Sequence, residues 1–154
     1  MPFAWRIAQA HVADRAFTGE GARRYGGRWN SKGFAVVYTS SSISLAILEI
    51  LVHIPIYGIL DEYVYIPVEF DQDLVVTLNL DDLPDSWNKD PSLQVIKQIG
   101  DSWIESQESV ILEVPSAIVP TEKNFLINPA HPDIGKLKIG KPTKFEFDPR
   151  LMKS

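Results

Sequence analysis

The sequence predicts an α+β domain, and three observations lead there. Short β-branched runs outnumber helical stretches, strands and helices do not alternate regularly, and turn residues punctuate the chain throughout. Regular alternation would signal a doubly wound parallel sheet; its absence favours a sheet with helices set to one side. With 154 residues the chain can bury a continuous core without metals or disulfides. No repeat, low-complexity tract or long linker divides it, so one domain over residues 1–154 is expected, and the 11 prolines read as turn punctuation.

The elements follow in order. FAWRIA suggests an opening strand. Residues 18–33, TGEGARRYGGRWNSKG, hold five glycines among arginines and aromatics, which predicts a structured loop. FAVVYTS reads as a strand, and the serines at 40–42 offer N-caps for a helix from about Ser44 to about Ile54. That helix is apolar on nearly all sides, so it is expected in the core between layers. YVYIPVEF and DLVVTLNL, separated by a turn-like DQ, read as paired strands. LPDSW breaks the pattern. Asp90-Pro91 then opens a helix through about Gln107, with Leu93, Ile96, Ile99 and Trp103 along one stripe. SVILEVPS, NFLINP and TKFEFDP are the closing strands.

Composition excludes several functions. The absence of cysteine removes disulfide frameworks, thiolate zinc sites and cysteine nucleophiles. A net charge of -5 argues against a broad nucleic-acid footprint. Arg15, Arg23, Arg24, Arg28 and Lys32 nevertheless cluster, so an anion could be held locally. The N-terminus lacks the pattern of a signal peptide, and the most apolar segment, 43–56, is interrupted by Glu49 and His53, so a cytoplasmic protein without membrane spans is expected. The three histidines, His11, His53 and His131, are far apart, and no metal site is expected. GxSxG and GK[ST] signatures are also missing.

Three segments carry the chemistry that remains. In GEGARRYGGRWNSKG the glycines let backbone approach a ligand, while the arginines present planar forks suited to phosphate or carboxylate oxygens. Glu49 sits among apolar helix neighbours, so it must be neutral, paired with a cation such as Arg24 or Arg28, or open into a cleft. His53 lies one turn further along. Tyr38, ending a strand, could stack on a flat ring or simply edge the core. Ser116 stands between prolines that fix the backbone, and Asn124, Asn128 and His131 could bond a sugar or close turns.

WRIA, GARRYGGRWNSKG, VVYTSSSISLAILEILVH, IGDSWIES, VPSAIVPTEKNFLINPAHPD and the closing FDPRL together resemble the RES-domain toxins of RES-Xre toxin-antitoxin pairs, in order and over nearly the whole chain. The family's arginine, glutamate and serine carry over to Arg24, Glu49 and Ser116, with Tyr25, Arg28, Tyr38 and Asn128 as further substrate contacts. The resemblance implies a fold similar to ADP-ribosyltransferases, with a split β-sheet core. It also implies an enzyme that depletes NAD+ by breaking the nicotinamide-ribose bond through phosphorolysis or hydrolysis, and so arrests growth. NAD+ is then a substrate, with no resident cofactor and with inorganic phosphate as co-substrate in the phosphorolytic case. An Xre-type helix-turn-helix antitoxin is the implied partner, in a multi-chain complex. Cleavage of that bond builds positive charge on the sugar, and nicotinamide leaves without a protonating acid, so one carboxylate can be enough. Transfer of ADP-ribose to a protein or RNA, or non-catalytic nucleotide binding, are the alternatives.

Overall fold

The computed structural model describes residues 2–52, 62–90 and 93–152; His53, the expected helix end at Ile54, and Pro91 lie outside them. Its strands are β1 (Phe3–Gln9), β2 (Val37–Ser40), β3 (Tyr63–Glu69), β4 (Val75–Thr77), β5 (Ile111–Pro115), β6 (Lys123–Ile127), β7 (Lys138–Ile139) and β8 (Thr143–Phe145). They form one mixed sheet in the order β4-β5-β6-β2-β1-β3-β7, with β8 also paired to β3. Among the described residues three α-helices accompany it: α1 (Glu20–Tyr25), α2 (Ile43–Leu51) and α3 (Gln94–Ser106). The α+β class therefore holds.

The sheet has two halves joined by a thin seam. β1 and β3 are registered along their full length, from Phe3↔Glu69 to Gln9↔Tyr63, and β6 is registered with both β2 and β5. Between the halves the registered pair is Trp5↔Ser40 alone. Strands that splay this way leave polar backbone to be satisfied by other groups.

Cross-strand register assigns the two faces in the β2-side half. Tyr38, Leu126 and Leu112 oppose one another, as do Ser40, Asn124 and Val114. The apolar members of this face pack with Trp29, Trp87, Ile96 and Trp103, so α3 and the glycine-arginine loop cover it. Val37, Phe125, Ile127 and Ile111 point the other way, into a second core with Val68 and Phe70.

Two expectations change. β3 and β4 do not pair: β3 is occupied by β1, β7 and β8, while Asp71 caps a 3-10 turn that carries the chain away. β4 instead runs parallel to β5, and α3 is the crossover that such a connection requires. Helix α2, capped by Ser42 Oγ accepting from the Leu45 amide, is not enclosed between layers. It lays Ala46, Ile47, Ile50 and Leu51 against Ile7 and Tyr63 of the β1-side half. Its opposite side leaves Leu48 41% and Val52 61% exposed. A β1–β3 surface is available on one side only, so an all-round apolar sequence becomes a helix with one free apolar edge.

Candidate active site

The residue that organises this region is Ser116, fully buried where β5 turns toward β6. Its amide donates to the Glu122 carbonyl at 2.9 Å, closing the hairpin loop. Its Oγ accepts from the amides of Ile118 and Val119, each at 3.1 Å, and donates to Glu49 Oε1 at 2.7 Å. A hydroxyl has one proton and two lone pairs, so Ser116 is fully used. It cannot also hold a sugar or a water without giving up one of these bonds. Its effect reaches a ligand through Glu49.

Glu49 lies half-buried on α2, and among the described residues no arginine or lysine is within salt-bridge distance of it. The expected ion pair with Arg24 or Arg28 is absent there. One oxygen is fixed by Ser116, and the other has no partner among the described residues. A partly desolvated carboxylate held by a neutral hydroxyl keeps its full charge available to a cation forming beside it.

The glycine-arginine loop behaves differently from the expectation. It opens with a helix, α1, because Gly19 enters at φ 73° and Glu20 then pairs with Arg23 and Arg24 at the i,i+3 and i,i+4 spacings. The Arg24 side chain is 64% exposed, with Nε 3.1 Å from Glu20. The structure does not bring it to Glu49 or Ser116. Tyr25 is 77% exposed at the end of the same helix. The half-buried Arg28 donates through Nη1 to the Trp87 carbonyl at 3.3 Å.

Tyr38 is held inside, not presented as a free ring. Its hydroxyl donates to Asn30 Oδ1 at 2.6 Å and accepts from the Trp29 amide at 3.1 Å. Burial pushes that hydroxyl well above the usual tyrosine range. Gly27 is required here, since a Cβ on it would meet the Tyr38 hydroxyl at 2.6 Å. Asn128 is buried at the end of β6 remote from Ser116, bonding the Ile104 carbonyl and the Ala130 amide. His131 likewise caps a 3-10 turn through the Asp133 amide.

Sequence reasoning missed Arg6. It stands on β1 at the seam, donating to the Ala16 carbonyl at 3.1 Å and to the Tyr38 carbonyl at 3.4 Å. No carboxylate pairs with it among the described residues, and burial lowers its pKa. A desolvated guanidinium satisfied by neutral carbonyls is a favourable place for an anion. The only signal in the sequence is an arginine inside an otherwise apolar strand.

Comparison with known proteins gives the family. The RES domain family profile matches residues 3–148. The chain is 43% identical over 148 residues to "Toxin Res" of Yersinia enterocolitica, covering 96% of this chain and 97% of that one. It is 40% identical over 156 residues to the "Prs ADP-ribosylating toxin" of a Sphingobium species, covering 97% and 96%. The fold resembles the crystal structure of the M. tuberculosis MbcT-MbcA toxin-antitoxin complex, with a TM-score of 0.75 at 19% identity over 98% of this chain and 86% of that one.

Proposed function

The chain belongs to the RES-domain family, and on that premise we propose that it is the toxin of a toxin-antitoxin pair and that it cleaves NAD+ between nicotinamide and ribose. The observation that carries this reading is the Glu49 carboxylate, fixed by Ser116 at 2.7 Å, with no partner for its second oxygen and no cation beside it among the described residues. In the reaction the C–N bond breaks, its electron pair leaves with the nicotinamide ring nitrogen, and the ribose carbon becomes cationic. Glu49 stabilises that charge and accepts a ribose hydroxyl. Water or phosphate then forms the new C–O bond, and the proton passes to solvent or to Glu49. Arg28, half-buried and without a carboxylate partner among the described residues, suits the pyrophosphate better than Arg24, which Glu20 already engages.

A second reading is transfer of ADP-ribose to a macromolecule. It is favoured by the name of the Sphingobium relative. It is favoured also by the exposed apolar side chains that adjoin the two site residues in sequence, Leu48 beside Glu49 and Ile118 two positions after Ser116. An antitoxin, here of the Xre helix-turn-helix type, would use the same edge to cover the cleft.

Incubating the purified chain with labelled NAD+, with and without phosphate, separates these outcomes. Free ADP-ribose or its 1″-phosphate supports cleavage; label on protein or RNA supports transfer; intact NAD+ overturns both. Expression without a partner should arrest growth while cellular NAD+ falls, and arrest at normal NAD+ would sink the depletion reading.

A further inference from the structure

Beside Ser116 lies a polar pair that the mechanism has not used. Ser40 on β2 and Asn124 on β6 are registered opposite one another, and the Ser40 hydroxyl donates to Asn124 Oδ1 at 2.9 Å. Both are buried, Asn124 at 6% exposure. That bond fixes the amide's orientation and directs Nδ2 away from Ser40. Nδ2 has no acceptor among the described residues, where no side-chain nitrogen or oxygen sealed from solvent lacks a partner. Nδ2 is therefore not sealed from solvent, although its residue is more than nine-tenths buried.

Register places Asn124 beside the residue that holds Glu49. Asn124 opposes Val114, and the backbone bond from Ser116 to Glu122 continues the β5–β6 pairing, so Ser116 and Asn124 are diagonal neighbours on one face of the sheet. Such neighbours are about 7–8 Å apart, within the span of one sugar. The corner thus offers an acceptor, the free oxygen of Glu49, and a donor, Nδ2 of Asn124. A vicinal diol, whose two hydroxyls can each donate or accept, is the group that satisfies both together.

We propose that Asn124 is a substrate-contacting, specificity-determining residue: its amide donates to one hydroxyl of the ribose at the scissile bond while Glu49 accepts from the other. This rests on the NAD+ reading above. Ser40 is then a positioning residue that sets the amide's orientation.

The test measures kcat/KM for NAD+ and for analogues deoxygenated at the 2′ or the 3′ carbon of the nicotinamide ribose, in the full chain and in Asn124→Ala. Losing one hydrogen bond to a neutral group should lower kcat/KM for NAD+ about fivefold to tenfold. That loss should vanish with one of the two analogues, because the partner hydroxyl is already gone. Ser40→Ala, which frees the amide but keeps the donor, should cost less. If Asn124→Ala lowers all three substrates equally, or lowers none, the proposal is overturned while NAD+ cleavage stands. If the unaltered chain neither binds nor cleaves NAD+, the functional reading falls first and this one with it. Should Asn124→Ala not fold, Asn124→Leu is close in size and removes the donor without adding a charge, and it must show the same dependence on the analogue.

Discussion

In the loop from Gly19 to Gly33 the polar groups are turned upon one another, whereas at the corner of α2 and β5 polar groups are left over. Asn30, fully buried, donates from Nδ2 to the carbonyls of Ala22, Ser31 and Phe34 and accepts from the Tyr38 hydroxyl at Oδ1. Helix α3 holds the loop from outside: Lys97 donates to the Gly27 carbonyl, and Asp101 accepts from the Ser31 amide at 2.8 Å. At the corner, Ser116 is saturated but Glu49 keeps one oxygen and Asn124 keeps its amide nitrogen. Richness in ligand-binding residue types is thus a poor guide to a site. What counts is bonding capacity that the fold does not consume.

The comparison breaks most sharply at Glu49. Glu49→Gln keeps the volume and the bond from Ser116 but removes the charge, so NAD+ turnover should fall at least about a hundredfold with little change in melting temperature. Nicotinamide release beside a thermal melt decides it, and wild-type turnover would take the glutamate out of the mechanism. Ser116→Ala should be milder in chemistry and worse in stability. It leaves the Ile118 and Val119 amides without their acceptor, at about 1–3 kcal/mol, and it lowers turnover only through a looser Glu49.

A structural loop should respond to packing. A Cβ on Gly100 of α3 would stand 1.7 Å from the Trp29 carbonyl oxygen, where backbone meets backbone and neither can give way cheaply. Gly100→Ala should cost about 3 kcal/mol, read from chemical denaturation. An unchanged midpoint would mean that the loop is not clamped by α3, and its inward bonding would need another explanation.

Much of this was legible beforehand. Expected strands fall on β1 to β6 and β8, and α3 begins and ends within a few residues of its predicted span, because period and turn residues are local signals. β7, only Lys138–Ile139, carries too short a pattern to read. The pairing of β4 was misjudged because register between distant strands is decided by which neighbours are already occupied. At the site, Glu49 and Ser116 could be singled out as a carboxylate in an apolar helix and a serine between prolines. Their 2.7 Å contact spans 67 positions, which no local pattern encodes. The arginine was the hardest part. GARRYGGRW draws the eye to Arg24, while the desolvated guanidinium belongs to Arg6, whose burial on the Ala4 face of β1 no local pattern encodes.

The smallest effect concerns that same arginine and sharpens the contrast from the other side. Hydrogen bonds from Arg23 and Arg24 hold the Glu20 carboxyl down to about 2, well below an ordinary glutamate. A depressed carboxyl pKa adds stability that is present above the unfolded value, about 4.3, and is lost as pH falls toward the folded value. Glu20→Gln should therefore melt slightly lower than the parent near neutrality and converge with it near pH 2. The gap at neutral pH should shrink with added salt, since all three groups are exposed to solvent. Arg24→Ala should show a smaller version of the same trend, since Arg23 still holds Glu20, and leave NAD+ turnover nearly unchanged, because the side chain ends in solvent beside Glu20 and not at Glu49. Loss of turnover comparable to that of Glu49→Gln would show instead that Arg24 leaves Glu20 for the ligand, and the loop would supply a second arginine to the site beside Arg28.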